Sequence, residues 1–203
     1  MRANRQPWRV RPTREQGVAA VEFALIAVVF FMFVFGVIEM ARAMYVCNTL
    51  QEVTRRAATL AARADFSNTT TMQRVREVAV FRQSAGLLAL GDPVTDKHIK
   101  IDYMSIQKNG ASLTMTAMGV AAVPGSPAAN HANCLRNPYG SDCVRLVRVR
   151  ICEPDDSATC TPVRYKSLFS LVPLPFNLPK ATTIMRTEAF GLPAGTPVAG
   201  AGG

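Results

Sequence analysis

From Val18 to Ile38 the chain reads VAAVEFALIAVVFFMFVFGVI, with Glu22 as its one charged residue. An α-helix needs roughly 20 apolar residues to cross a bilayer's hydrocarbon core, and this stretch has that length. Its β-branched and aromatic residues are weak helix formers in water. In lipid the backbone must satisfy its own hydrogen bonds, so helix is the form available to it. A cleaved secretory signal would carry a shorter apolar core, about 7–15 residues, ahead of a small-x-small site. Here a helical pattern continues without such a break. A buried helix of a soluble protein is rarely apolar on every side for this length. Residues 18–38 therefore read as a transmembrane helix.

The flanking charge predicts its orientation. The leader, residues 1–17, contains Arg2, Arg5, Arg9, Arg11 and Arg14 against Glu15, a net of +4 out of +9 for the whole chain. Positive charge before a span holds that end in the cytoplasm. The expectation is a single-pass protein of the inner (cytoplasmic) membrane, N-terminus cytoplasmic, C-terminal domain periplasmic. Its first partner is the lipid bilayer. Glu22 costs roughly 2.5–3.5 kcal/mol inside a span unless it lies shallow or is paired. It therefore either snorkels to the cytoplasmic interface or receives a positive partner from another chain.

Past the span, Ala43, Cys47, Leu50, Thr54, Ala57 and Ala61 recur in steps of four and three, a narrow seam of mostly small residues. This stalk helix, residues 39–66, packs its seam on the protein's own head or on another helix. Glu39 and Arg42, three apart, can pair along the helix and on that reading need no other partner. Asp65–Thr71 supplies turn and capping residues, and a second helix is expected over Met72–Leu90, stopped by Gly91-Asp92-Pro93. Val75, Val78, Phe81, Ala85 and Leu88 would form its apolar face.

The remainder reads as strands. Ile99, Ile101 and Tyr103 alternate with Lys100 and Asp102. Asn109-Gly110 predicts a type I′ hairpin turn, with Leu113 and Met115 on the partner strand. Gly119–Asn133 reads as a loop, Val144–Ile151 as a strand with Val147, Val149 and Ile151 on one face, and Ala181–Phe190 as a last strand. The prolines of LFSLVPLPFNLP forbid regular pairing. The predicted fold class is α+β: an N-terminal transmembrane helix continuing into the stalk, a second helix, then a small antiparallel sheet. The head spans residues 67–190 and a flexible tail residues 191–203.

Composition excludes other classes. With 49% hydrophobic and 18% charged residues the bulk of the chain is not disordered, and 203 residues leave no room for a large cofactor domain beside an anchor. No enzyme activity and no cofactor are expected. His98 and His131 are the two histidines, and no P-loop, glycine-rich nucleotide fingerprint or H-E-x-x-H is present. Arg145, Arg148 and Arg150 lack interleaved aromatics, so nucleic acid is not an expected partner.

Cys134, Cys143, Cys152 and Cys160 fall in the part predicted to lie outside, an oxidising compartment that favours disulfides. If Cys143 and Cys152 bracket an extended strand their ends lie about 30 Å apart, too far to bridge. Cys134–Cys143 with Cys152–Cys160 is the favoured pairing, each closing a loop with turn residues (Asn137-Pro138-Tyr139-Gly140 and Pro154-Asp155-Asp156-Ser157), and the crossed pairing stays open. Zinc, with His131 as an extra ligand, is a rival weakened by the absence of any C-x2-C unit. Cys47 reads as a small buried hydrophobe or an intermolecular bridge.

Glu15-Gln16-Gly17, followed by Val-Ala-Ala-Val and then Glu22-Phe23, resembles a type IV prepilin processing site. Together with Gly36, Glu39, Arg42 and Tyr45, which fit a G-x-x-E-x-x-R-x-x-Y run, the segment from Gln16 to about Ala62 is similar to the TadE-like family, minor pilins or pseudopilins of tight-adherence (Tad/Flp) pilus systems. That resemblance implies a pilin-like fold and a prepilin peptidase cutting between Gly17 and Val18. Val18 would open the mature chain, where many type IV pilins have an aromatic residue. Cleavage would create an α-amino group, positive below a pKa of roughly 8, able to pair with a neighbour's Glu22 and set axial register. It would also lower the net charge from +9 to +5. The partners implied are other pilins or pseudopilins and the pilus assembly and secretion machinery, and the function implied is assistance of pilus assembly and surface adhesion. An unprocessed single-pass protein whose exterior domain binds a ligand or scaffolds a secretion complex is the alternative.

Overall fold

The computed structural model describes residues 15–155, 159–170 and 173–187. The basic leader up to Arg14, the tail 191–203, and Asp156 and Ser157 of the second predicted turn lie outside the described residues. Three α-helices, α1 (Glu15–Ala61), α2 (Thr69–Ala79) and α3 (Pro127–Arg136), accompany four strands, β1 (Ile99–Asn109), β2 (Ser112–Ala117), β3 (Leu146–Ile151) and β4 (Thr182–Arg186). The fold is α+β. The chain divides into two compact units, residues 1–41 with 167–173, and residues 42–166 with 174–203.

In the first unit α1 is long and apolar enough to cross a membrane, with a mean hydropathy of 2.7 over its most apolar window and none of that window buried. Val21, Phe23, Ile26, Val29 and Phe33 are each more than 60% exposed. Such a row of exposed apolar side chains marks α1 as a candidate membrane span.

The second unit is built on an antiparallel sheet in the order β2-β1-β3-β4. The register pairs Ile99 with Ile151, Ile101 with Val149 and Tyr103 with Val147, while β4 sets Thr183 against Val149 and Met185 against Val147. Partners directly opposite share a face, so these residues line one side of the sheet. Ile99, Val147, Val149 and Ile151 join Leu50, Val53, Ala57, Ala58 and Ala61 of α1 in one buried core. The stalk seam thus packs on the protein's own sheet. Thr54 bonds Thr183 through their hydroxyls at 2.9 Å, and the Thr59 hydroxyl donates to the sulfur of Met185 at 3.3 Å. Alanines at 57, 58 and 61 keep that face of the helix low, so the sheet can approach it closely. Cys47 is partly buried against the same core.

Several readings of the sequence need correction, among them the stalk helix, which ends at Ala61 and not at residue 66. The second helix ends at Ala79 and does not reach Leu90. Phe81 and Leu90 take positive φ of 60° and 55°, and Asp96 holds the intervening loop by accepting the Gly86 N–H and the Gln73 side-chain amide, both at 2.9 Å. The buried side chains of α2 are Met72, Val75 and Ala79, and Phe81 is 48% exposed. Gly119–Asn133 is not a plain loop. Val120–Ala122 forms a 3₁₀ turn, and Ser126 caps the helix that begins at Pro127, accepting the Ala129 N–H at 3.1 Å. A serine ahead of proline at the first helical position is a helix-start signal hidden among alanines. The hairpin register pairs Asn109 with Ser112, so the turn residues are Gly110 and Ala111. Gly110 alone has positive φ (62°), the pattern of a type II′ turn rather than type I′. The last strand, expected to start at Ala181, is Thr182–Arg186, and the expected end at Phe190 lies outside the described residues.

Candidate membrane-anchoring and assembly site

The residues singled out on α1 occupy distinct settings. Gly17, Val18, Glu22 and Phe23 are all exposed, Val18 at 59% and Phe23 at 73%. At Gly36 an added Cβ would meet no atom within 4 Å, so nothing among the described residues demands a glycine there. Tyr45 is 43% exposed.

Glu39 stands apart because it is a fully buried carboxylate. Both its oxygens accept the backbone N–H of Leu168 at 3.1 Å, and Oε2 also faces the N–H of Phe169 at 3.4 Å. Charge-assisted bonds from backbone N–H groups are the arrangement that lets a carboxylate be buried. The same loop brings Phe169 onto Phe35 with ring centroids 4.7 Å apart, and Phe35 lies 6.0 Å from Phe31. Stacked aromatics at these separations add about 0.5–1.5 kcal/mol per pair beyond area burial.

Arg42, in the second unit, is a hub of hydrogen bonds. Its guanidinium donates to the carbonyls of Leu90 (3.0 Å), Lys166 (2.8 Å) and Asp92 (3.2 Å) and to the Tyr165 hydroxyl (3.0 Å), and lies 5.1 Å from the Tyr165 ring centroid. Tyr165 in turn stacks on Phe176 at 4.6 Å. The reading that Glu39 and Arg42 need no partner beyond each other is therefore corrected. Each ties down a distant, proline-rich part of the chain that no spacing rule on the helix foretells.

The cysteines pair as Cys134–Cys143 and Cys152–Cys160, each with Cα atoms 4.8 Å apart. Beside the first pair, Asn130 clamps Val144 from both sides: its Oδ1 accepts the Val144 N–H at 2.7 Å and its Nδ2 donates to the Val144 carbonyl at 3.3 Å. That clamp and the disulfide fix α3 to the start of β3. His131 lies on this helix and is exposed.

Arg148 and Arg150 converge on one carboxylate. Each donates Nε and a terminal nitrogen to Asp102 Oδ2, at 2.8–3.0 Å. Arg145 turns away to the Pro138 carbonyl at 3.0 Å. One carboxylate thus offsets part of the strand's positive charge within the sheet. A shallow cleft of about 400 Å³ nearby is lined by Gln73, Arg76, Lys97, Lys100 and Arg150. Lys100 donates across it to the Pro154 carbonyl.

His98 is buried where the 3₁₀ turn Asp96–His98 meets β1. Its Nδ1 accepts the Thr95 N–H at 3.0 Å, which leaves the proton of the neutral ring on Nε2. Burial holds its pKa below the ordinary 6.5, against the opposing pull of Glu153. Burial likewise pushes the Tyr103 hydroxyl above its ordinary range, where it donates to the Met72 sulfur at 3.4 Å.

No curated protein and no solved structure matches the chain. Over residues 17–59, the stretch that carries Gly36, Glu39, Arg42 and Tyr45, the chain matches the family model of the TadE-like proteins.

Proposed function

We propose that this chain is a membrane-anchored structural pseudopilin that assists assembly of a Tad/Flp-type pilus and, through it, surface adhesion. The observation that carries the reading is the continuous helix Glu15–Ala61. One stretch of it exposes nearly every apolar side chain around a lone acid, Glu22, and another is sunk in the core of a folded head. The TadE-like match covers both stretches and supports association with pilus assembly machinery. In this reading a prepilin peptidase removes the leader after Gly17, and the new amine of Val18 meets Glu22 of a neighbouring subunit.

Mass spectrometry of the chain purified from its native membrane tests the reading. A mature N-terminus at Val18 supports it, and an intact leader favours the unprocessed anchor. Replacing Glu22 by Ala should leave membrane insertion intact and impair pilus assembly, because it removes the acid and none of the apolar surface. Normal piliation by that variant would remove Glu22 from the mechanism.

A further inference from the structure

The loop Ser167–Ser170 belongs to the same compact unit as the apolar half of α1, and its chemistry is unusual for a surface loop. Leu168 is 60% exposed although it is large and apolar. Phe169 is stacked on Phe35. The exposed apolar surface continues along the helix beside them at Phe31, Val37, Ile38 and Met40, all more than 40% exposed.

Helix rise places this loop. From Val18 to Phe35 the helix advances about 25 Å at ~1.5 Å per residue, close to the ~30 Å of a bilayer's hydrocarbon. With Val18 at one edge of the hydrocarbon, Phe35 and the ring stacked on it arrive at the other. Aromatic side chains concentrate at that depth. Backbone that is not helical is tolerated there only when its polar groups have partners, and Glu39 supplies them to the N–H groups of Leu168 and Phe169.

We infer that Leu168 and Phe169 form a second, non-helical lipid contact, seated in the interfacial zone of the leaflet where the span ends, with the buried carboxylate of Glu39 satisfying the backbone that enters it. The inference rests on the membrane reading of α1 and adds a partner for a loop far away in sequence. Lipid is the occupant because the loop's apolar surface is continuous with that of the span. Two attachments at one leaflet fix the rotation of α1 about its axis, which a single smooth helix does not.

The test uses the full chain in phosphatidylcholine–phosphatidylglycerol vesicles. Trp8, the single tryptophan, is replaced by Phe, and one reporter is introduced as Leu168→Trp or, in a parallel protein, Phe30→Trp. Lipids brominated near the carbonyl end or near the chain terminus quench by depth, and aqueous iodide quenches what is in water. The expected result is that Leu168→Trp loses most of its emission to shallow bromines, less to deep ones and little to iodide, while Phe30→Trp responds chiefly to deep bromines. If iodide quenches Leu168→Trp in vesicles where deep bromines quench Phe30→Trp, the loop is in water; the inference falls and the anchor stands. Shielding of Leu168→Trp from both quenchers assigns the loop to a protein contact and also overturns it. If bromines reach neither reporter, the anchor reading fails as well.

Discussion

The carboxylate of Glu39 and the backbone of Leu168 lie 129 positions apart in sequence, and two hydrogen bonds of 3.1 Å join them. Replacing Glu39 by Ala strands the N–H groups of Leu168 and Phe169 at a cost of about 1–3 kcal/mol for each left unsatisfied. Amide hydrogen exchange at those two positions should accelerate roughly tenfold or more, since 1.4 kcal/mol corresponds to a factor of ten. Glu39→Gln keeps one acceptor oxygen and should retain part of the protection. Equal, unchanged protection in both variants would show that the loop is held by other contacts, the Phe35–Phe169 stack first among them.

Arg42 poses a sharper test, because lysine preserves its charge. Its donors reach three carbonyls and a phenol in different directions, a set that a planar guanidinium fork can serve and a single ammonium cannot. Arg42→Lys should therefore lose most of what Arg42→Ala loses, about 1–3 kcal/mol by urea unfolding of the detergent-solubilised chain. A lysine variant as stable as the native protein would mean that charge, and not the fork, is what this position requires.

How much of this was legible in the sequence depends on the range of the signal. The span, the stalk seam and the alternation of β3 are written in periods of 3.6 and 2, which local residues carry by themselves. Val147, Val149 and Ile151 accordingly lie where their spacing put them. The truncation of α2 was not legible, because the chain past it takes a positive φ at Phe81 and is held by Asp96, which accepts hydrogen bonds from Gly86 and Gln73. Positive φ at Phe81 and Leu90 has no local signature in such residues. The helix α3 did announce itself through Ser126-Pro127, but its alanine-rich body lacks an apolar stripe, and it is anchored by the buried side chain of Asn130 and the Cys134–Cys143 disulfide. The partners of Glu39 and Arg42 were the least legible, since helix spacing offered each the other and only the folded chain brings the loop around Lys166–Phe169 to them.

The two disulfides should differ in their resistance to reductant. Cys152 and Cys160 are both buried, whereas Cys134 is partly exposed beside the fully buried Cys143. A thiolate must reach a sulfur to open the bond, so access sets the order. Graded dithiothreitol followed by differential alkylation and peptide mapping should show Cys134 and Cys143 labelled first. Removing that pair by Cys134→Ser with Cys143→Ser should cost about 2–3 kcal/mol for so short a loop. Labelling of Cys152 and Cys160 ahead of the other pair would place the weaker part of the head at the β3 exit.

Acidification should loosen the start of β1 through His98. Burial lowers its pKa in the folded protein relative to the ordinary 6.5 of the unfolded chain, although Glu153 and Asp96 pull upward and Lys100 adds to the lowering. Between those two values the unfolded state binds more protons, so stability rises with pH through that window. The contribution is fully present above about pH 6.5 and declines as pH falls toward the folded pKa. His98→Asn keeps a side-chain acceptor for the Thr95 N–H and cannot titrate. The melting temperature of the native chain should therefore fall more between pH 7 and pH 5 than that of the variant, with the excess loss of amide protection concentrated at Cys152, whose N–H donates to the His98 carbonyl at 3.0 Å. Parallel curves for the two proteins would mean that His98 binds protons equally in the folded and unfolded states across this range, and that the acid response of the head resides in its carboxylates.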